Sequence, residues 1–290
     1  MNMNGFYEQI DQYFAVKDFQ AAENFMQQAL AQAQAEQDHG AIVTVCNELG
    51  GFYRAFSRYS EGVPLYRQAL DSIKALGMEK SEAHGTTLLN FATTLAIIGD
   101  DDGALNAYQK ALDIFEGPAY ARDYRLATLY NNMSSLYQNM DMLAPAEAYL
   151  YLAMEILENL QDSEIEIAIT LSNLAGVYLA MDDFDRLDDA RDAAEKAINL
   201  FNKVSGDQDV HYAAAVTALG DVCHKEGDFI SAETHFRRAL DLTKRDYGDQ
   251  TLGYAILCDN LAQTLTALGR RSEAAEFTSK ASAIKERIGE

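Results

Sequence analysis

Apolar residues along this chain recur at the spacing of amphipathic helices. In several stretches they lie three and four residues apart, as at Tyr130, Met133 and Tyr137, which places them on one face of a helix with ~3.6 residues per turn. Hydrophobic residues make up 48% of the chain, and only 3 of its 290 residues are Pro. The pattern therefore predicts an all-α protein in which each helix buries one face.

One three-residue phrase recurs at an interval of 41 to 45 residues, and we call its first residue the slot residue. The slot residues are Glu48, Asn90, Asn132, Asn173, Ala218 and Asn260. An alanine follows each slot residue after 21 residues, except in one copy, where it follows after 24. These marker alanines are Ala69, Ala111, Ala153, Ala197, Ala239 and Ala281. Two markers that keep the same phase over six copies indicate a repeat architecture.

Each repeat is predicted to form two helices joined by a tight turn. The third residue of the phrase is small in every copy, which lets another helix approach closely; these residues are Gly50, Ala92, Ser134, Ala175, Gly220 and Ala262. A Gly followed by a polar residue marks the turn, as at Gly99-Asp100 and Gly227-Asp228. A further alanine precedes the marker alanine by two turns, and we predict that the pair forms one close-packing seam. These earlier alanines are Ala104, Ala146, Ala190, Ala232 and Ala274.

The spacing of Cys46, Leu49, Gly50 and Tyr53 in a first helix, followed by the alanines of the second, resembles the tetratricopeptide repeat. A period near 42 residues is longer than the ~34 of the usual repeat, and in this the chain is similar to kinesin light chains. A Gly-Asp pair some twelve residues before a slot residue, at 206–207 and 248–249, is similar too. The resemblance implies an α-α superhelix, a solenoid of about seven helix–turn–helix units with fourteen helices. The family's terminal Pro is absent, and two of the six slots lack Asn.

No Gly-, Ser- or Pro-rich linker interrupts the repeats, so we expect a single solenoid domain over residues 1–290. Its repeats are expected at about 3–38, 39–80, 81–122, 123–163, 164–208, 209–250 and 251–290. In the fifth of these the marker alanine arrives three residues late. Three residues inside a helix would rotate its apolar face by about 300°. We therefore expect the extra residues in the turn near Asp182–Asp189 or at the start of the second helix, with Ala190 and Ala197 still in the seam.

Charge and composition exclude several classes of function. A formal net charge of −22 argues against nucleic-acid binding, which needs a basic surface. No apolar run approaches the ~20 residues of a membrane span, and no basic segment followed by an apolar stretch indicates a secretory signal. Three cysteines are too few for a disulfide framework, which favours a cytoplasmic protein.

The residues that could carry chemistry are dispersed. Cys46, Cys223 and Cys258 fall at apolar positions of first helices and are predicted to lie in the core. The five histidines are scattered, and no metal-ligand spacing, nucleophile elbow or phosphate loop is present. We therefore expect no catalytic residue, no cofactor and no bound metal.

In the tetratricopeptide family the slot Asn lies on the concave side of the first helix, where its amide can pair with the backbone of an extended peptide. The resemblance implies this role for Asn90, Asn132, Asn173 and Asn260. Neighbours on the same helix face are small or uncharged, which favours a peptide groove; they include Thr86, Thr93, Thr128, Ser135, Asn139 and Gln263. The alternative is that each Asn bonds the helix of the adjacent repeat, and one residue can do both.

The expected function is a non-catalytic scaffold that binds a peptide or partner protein in the concave groove. Two alternatives remain, a regulatory sensor of a small signalling peptide and a self-assembling structural adaptor.

Residues 100–199 hold 20 acidic and 6 basic residues, which either favours a basic partner or reflects solvated turns and helix N-termini. The first helix, which no preceding repeat covers, carries five apolar residues, Phe6, Tyr7, Ile10, Tyr13 and Phe14. We expect this N-terminal repeat either to pack on a second copy, as a homodimer, or to fold its rings back.

Overall fold

The computed structural model describes residues 3–118, 120, 123–181, 183 and 186–289. In these residues the chain forms fourteen α-helices and no strand, which confirms the predicted all-α class and its helix pairs. The helices are α1 (Met3–Ala15), α2 (Phe19–Ala35), α3 (His39–Ala55), α4 (Tyr59–Ala75), α5 (Glu82–Ile97), α6 (Asp101–Phe115), α7 (Tyr124–Asn139), α8 (Leu143–Leu157), α9 (Glu164–Ala180), α10 (Leu187–Val204), α11 (Tyr212–Glu226), α12 (Phe229–Tyr247), α13 (Leu252–Ala267) and α14 (Arg271–Ile288).

The helices group into two compact units. The first covers Met1–Ala121 and contains α1 to α6, and the second covers Arg122–Glu290 and contains α7 to α14. Within each unit every helix packs on the next one along the chain. First helices of successive repeats also touch, α3 on α5 in the first unit, and α7 on α9, α9 on α11 and α11 on α13 in the second.

The predicted alanine seam is buried in every repeat. The six marker alanines are at most 1% exposed and the five earlier alanines at most 5%. In α4 the earlier position is Gly62, where an added Cβ would lie 3.3 Å from the carbonyl oxygen of Gly50 and 3.7 Å from Cβ of Tyr53. At Gly62 the seam therefore packs α4 against α3, the first helix of its own repeat.

The fifth repeat takes up its three extra residues between its helices, as predicted. Helix α9 ends at Ala180 and α10 begins at Leu187, so residues 181–186 separate them, whereas residues 140–142 separate α7 from α8. Ala190 and Ala197 are both fully buried and stay in the seam. Asp182 and Asp185, which belong to the predicted turn, lie outside the described residues.

Carboxylates begin many of the helices. Asp18, Asp38, Asp100 and Asp228 each accept a hydrogen bond from the backbone N–H three residues later, at 3.0 to 3.2 Å. Such N-caps satisfy backbone donors that have no partner within the helix. Gly99 and Gly227, just before two of these caps, have the left-handed φ of 78° and 82°. The Gly-polar turns predicted from the sequence are thus confirmed at these positions.

A repeated ion pair joins second helices of successive repeats. Arg58, Arg186 and Arg270 occupy the N-cap positions of α4, α10 and α14, whereas an Asp occupies that position in α2, α6 and α12. Each guanidinium pairs with an acidic residue three positions later and with a Glu that follows the earlier seam alanine of the preceding repeat. The pairs between repeats are Arg58–Glu23 at 2.7 Å, Arg186–Glu147 at 2.8 Å and Arg270–Glu233 at 2.5 Å. Hydrogen bonds from Arg58 hold the pKa of the buried Glu23 below its usual value, against the effect of burial.

The large apolar residues of α1 include buried and exposed members. Phe6 and Ile10 are buried, and the Phe6 ring stacks on Phe25 of α2 with centroids 5.7 Å apart. Tyr7 and Phe14 remain 42% and 40% exposed. The N-terminal repeat therefore folds part of its apolar surface back onto its own second helix.

Two adjacent glycines of α3 test the packing that the repeat requires. An added Cβ at Gly50 would lie 2.6 Å from the ring of the fully buried Tyr66, whereas one at Gly51 would meet nothing within 4 Å. We expect Gly50→Ala to destabilise the protein by about 1–3 kcal/mol, because the buried ring has to move. Gly51→Ala should stabilise it by about 0.5–1 kcal/mol through helix propensity.

Urea unfolding followed by circular dichroism measures both changes. Equal stability of the two variants would contradict close packing at Gly50.

Candidate functional site

The predicted groove residues share one face of the first helices. We call the first-helix face the slot residue together with the positions four before, three after and seven after it. On α7 its members Thr128 and Asn132 are half-buried, while Ser135 and Asn139 are exposed. On α5 and α9 the described members Thr86, Asn90, Thr93 and Asn173 are half-buried, and on α13 Asn260 is half-buried and Gln263 exposed.

Two slot asparagines reach the first helix of the preceding repeat. Nδ2 of Asn90 donates to Oδ1 of Asn47 at 3.2 Å, and Nδ2 of Asn173 donates to Oδ1 of Asn131 at 2.9 Å. The same contact therefore occurs once in each compact unit, between α3 and α5 and between α7 and α9. For these two residues the bonding between repeats that the sequence left open is present.

The accepting asparagines are themselves held by a second set of hydrogen bonds. Nδ2 of Asn131 donates to the carbonyl oxygen of Ala127 at 3.1 Å and to Oγ1 of Thr170 at 2.9 Å. Asn47 makes the matching bonds to Val43 at 2.9 Å and to Thr87 at 2.8 Å.

Sequence reasoning did not find this network. Its signal was present, since Asn47 and Asn131 directly precede slot residues, and Thr87 and Thr170 lie three residues before the next slot residue along the chain. Both threonines are fully buried. The network therefore belongs to the packing between repeats rather than to an open surface.

The hydroxyls of the first-helix face are bonded locally. Thr128 donates to the carbonyl oxygen of Tyr124 at 2.9 Å, and Ser135 donates to that of Asn131 at 3.3 Å. Thr93 donates to the carbonyl oxygen of Leu89 at 2.9 Å and accepts from the Tyr108 hydroxyl at 3.1 Å, which links α5 to α6. Thr93 thus contributes to the packing within its own repeat.

The link between α11 and α13 differs from the other two. Nδ2 of Asn260 donates to Oδ1 of Asp221 at 3.1 Å, so the acceptor is a carboxylate, and it does not stand directly before a slot residue as Asn47 and Asn131 do. Asp221 lies three residues after the slot residue Ala218 and is half-buried. Burial raises the pKa of Asp221 to about 7, although the charge of Lys225 acts in the opposite direction.

Several acidic residues of the stretch 100–199 interact with their own helix. Asp188 and Asp189 lie in the first turn of α10, where carboxylates interact favourably with the helix dipole. Asp189 pairs with Arg186 at 3.0 Å, and Asp192 pairs with Lys196 at 2.6 Å. These residues agree with the interpretation of the acidic cluster as solvated turns and helix starts.

The cysteines are buried, as predicted. Burial raises the pKa of Cys46 to about 12 and that of Cys258 to about 11, so both thiols are neutral. In the described parts of the chain, no group of three or more His, Cys, Asp or Glu side chains is arranged to hold a metal ion. None of the helices in those parts is both long enough and apolar enough to cross a bilayer.

Comparison of the sequence with known families gives a match to the tetratricopeptide repeat, over residues 41–117, 184–245 and 212–287. A similar curated protein is Protein KINESIN LIGHT CHAIN-RELATED 2 of Arabidopsis thaliana, 23% identical over 250 residues. The match covers 84% of this chain and 37% of that protein, so the chain spans well under half of its relative.

Two solved structures resemble the chain over 98% of its length. One is a Rap protein complexed with Competence and Sporulation Factor, with a TM-score of 0.75, 18% identity and 75% of that chain covered. The other is NprR in complex with its cognate peptide NprX, with a TM-score of 0.73, 14% identity and 78% covered. At this level of identity the resemblance concerns the fold.

The network between repeats can be tested with two asparagines of α7. We expect Asn131→Ala to destabilise the protein by about 1–3 kcal/mol, because it leaves buried partners on α9 without their hydrogen bonds. The exposed Asn139 on the same helix is the matched control, and Asn139→Ala should change stability by less than about 0.5 kcal/mol. Equal midpoints of urea unfolding for the two variants would show that the network contributes nothing.

The raised pKa of Asp221 predicts a pH-dependent stability. A carboxyl whose pKa is about 7 when folded, against 3.8 ordinarily, holds its proton more tightly in the folded state. Its contribution to the stability of the folded state is therefore fully present below pH ~4 and is lost as the pH rises towards 7. When the pH is raised from 5.5 to 8, the free energy of unfolding of Asp221→Asn, measured relative to that of wild type, should increase by about 1–2 kcal/mol.

Urea unfolding at the two pH values measures this gain, and the same substitution at the exposed Asp241 of α12 controls for the loss of one charge. A stability difference that is the same at both pH values would argue against a buried, protonatable carboxyl.

Proposed function

The chain belongs to the tetratricopeptide-repeat family, in its kinesin-light-chain-like form, and on that premise we propose that it is a non-catalytic scaffold. It holds a peptide, or an extended segment of a partner protein, in the concave groove expected of such a solenoid. Folds of this kind serve protein–protein interaction in general. The observation that carries the finer proposal is the scarcity of ionisable residues on the first-helix face of a chain whose net charge is −22.

The composition of that face suits an extended backbone. In the second compact unit, its sixteen positions on α7, α9, α11 and α13 include only two ionisable residues, Asp221 and Lys225. The exposed Ser135, Asn139 and Gln263 offer donors and acceptors without imposing a charge on the ligand. Each hydrogen bond to a ligand backbone contributes only about 0.5–1.5 kcal/mol, so several repeats have to act together.

Bonding between repeats does not remove the slot asparagines from this role. Asn90 and Asn173 each use an Nδ2 donor for the neighbouring helix, and a carboxamide has a second N–H and an oxygen acceptor besides. The bond to the neighbour fixes the orientation of the amide before a ligand arrives. Such preorganisation lowers the entropy that is lost on binding. We propose the same role for Asn132 and Asn260.

The charge of the chain favours a ligand that carries Lys or Arg. Steering by an acidic surface raises the rate of association, and its effect falls with added salt. The surface also disfavours nucleic acid, whose phosphates it would repel. Neutral, unpaired thiols at Cys46 and Cys258 suit a reducing compartment such as the cytoplasm.

One observation favours the sensor of a small signalling peptide as a second candidate. The two solved structures that resemble 98% of this chain are complexes with Competence and Sporulation Factor and with the peptide NprX. A self-assembling adaptor is the third, because Tyr7 and Phe14 remain exposed on α1 and could seat a second copy in a homodimer. A sensor would bind a free short peptide as tightly as the whole partner.

A matched pair of serines tests the binding face. Ser135 is exposed on the first-helix face of α7, and Ser282 is exposed on the second helix α14. A partner captured from lysate and identified by mass spectrometry is reduced to its binding segment, which is then titrated by calorimetry. Ser135→Trp should weaken binding at least about tenfold, equivalent to ~1.4 kcal/mol, because the ring occludes the face.

Ser282→Trp should leave the affinity unchanged. Loss of binding in Ser282→Trp together with full binding in Ser135→Trp would transfer the interaction to the second helices and overturn the proposal.

A further inference from the structure

Asp221 breaks the pattern of the face that carries it. The residues at the same position on the other first helices of the second compact unit are Ser135, Gly176 and Gln263, all uncharged. Asp221 is the only carboxylate among the sixteen positions of the face in that unit. It is half-buried, so part of the residue is accessible from the surface.

The packing between repeats does not require this charge. Between α3 and α5, and again between α7 and α9, the slot amide donates to a neutral Asn at 3.2 and 2.9 Å. Asn260 donates to Asp221 at a similar 3.1 Å. A neutral amide oxygen, directly before a slot residue, is therefore a sufficient acceptor in two links, whereas the third link uses a carboxylate at a different position, three residues after a slot residue.

The ionised form of Asp221 is energetically unfavourable in its present surroundings. Among the ion pairs of the described residues none involves Asp221, while Asp259, on the adjacent helix α13, pairs with Lys285 at 2.8 Å. Burial disfavours the ionised form of Asp221 and raises its pKa, and the opposing charge of Lys225 offsets only part of that effect. A cation placed within about 4–6 Å of the carboxylate would favour the ionised form and offset that cost.

We infer that Asp221 anchors a Lys or Arg side chain of the bound segment and thereby sets the register of the ligand along the second compact unit. The inference rests on the proposed function, because it needs a peptide on the first-helix face. It assigns to one residue a specificity that the neutral polar side chains of the face lack. Gln263 and Gly176, at the same position on α13 and α9, carry no charge, so Lys225, one turn after Asp221 on α11, is the other ionisable residue of the face in this unit.

The experiment uses the full chain and a phage-displayed library of random twelve-residue peptides. Selections are run in parallel on wild type, on Asp221→Asn and on Asp241→Asn, which removes a charge from the exposed surface of α12. Asp221→Asn retains an oxygen acceptor for Asn260, so the fold is expected to persist, and circular dichroism checks it. Peptides selected by wild type and by Asp241→Asn should be enriched in Lys or Arg at one fixed position, and those selected by Asp221→Asn should not.

A double-mutant cycle then measures the contact itself. The best synthetic peptide and its version with norleucine in place of the basic residue are titrated against wild type and Asp221→Asn. We expect removal of the peptide cation to cost at least about tenfold in affinity with wild type and less than about twofold with Asp221→Asn.

The outcomes separate the two proposals. Peptides that bind the first-helix face with equal losses in both proteins would overturn the role of Asp221 and leave the proposed function standing. A library from which no variant of the chain selects any peptide would overturn both.

Discussion

Close packing of each second helix against the first helix of its own repeat is the constraint on which the rest of the structure depends. The two seam positions hold Ala or Gly in all seven repeats, because a larger side chain would separate the helices. In five of the seven repeats a large, fully buried residue stands four positions after the first seam residue; these are Met26, Tyr66, Tyr108, Leu150 and Phe236. Tyr66 in α4 and Phe236 in α12 occupy this position, and each lies against a glycine of the facing first helix, Gly50 and Gly220.

This packing decides which side of each first helix is available for binding. With one side committed to the seam, the first helices contact one another through the asparagine network and leave a separate face exposed. The second helices are joined by the Arg–Glu pairs, so the two layers use different interactions. Partly exposed ion pairs contribute little each, whereas the buried network around Asn131 contains polar groups that are costly to leave unpaired. The alignment of successive first helices therefore depends more on the asparagine amides than on the Arg–Glu pairs.

The sequence predicted the helix pairs and the seam because both arise from local spacing. Even the insertion in the fifth repeat was predictable, since a rotation of the apolar face would have exposed Ala190 and Ala197. The partners of the slot asparagines were not predictable from the sequence. An amide at that position can equally bond a ligand or a helix some 40 residues away, as Asn173 bonds Asn131. Turns at Ser57 and Asp141 carry no glycine signal although their φ values are 57° and 58°. Such turns are imposed by the packing on either side.

The neutral polar side chains of the first-helix face and its single carboxylate in the second compact unit have different parts in binding. Thr, Ser, Asn and Gln can satisfy the backbone of any extended segment, and for that reason they discriminate poorly between segments. Discrimination requires a group whose unpaired state is costly, because only then does the wrong ligand leave a penalty uncompensated. In the second compact unit Asp221 meets that condition, being partly buried, ionisable and bonded to the neutral Asn260. The residue that fits least well into the repeat pattern is thus the one best able to choose a partner.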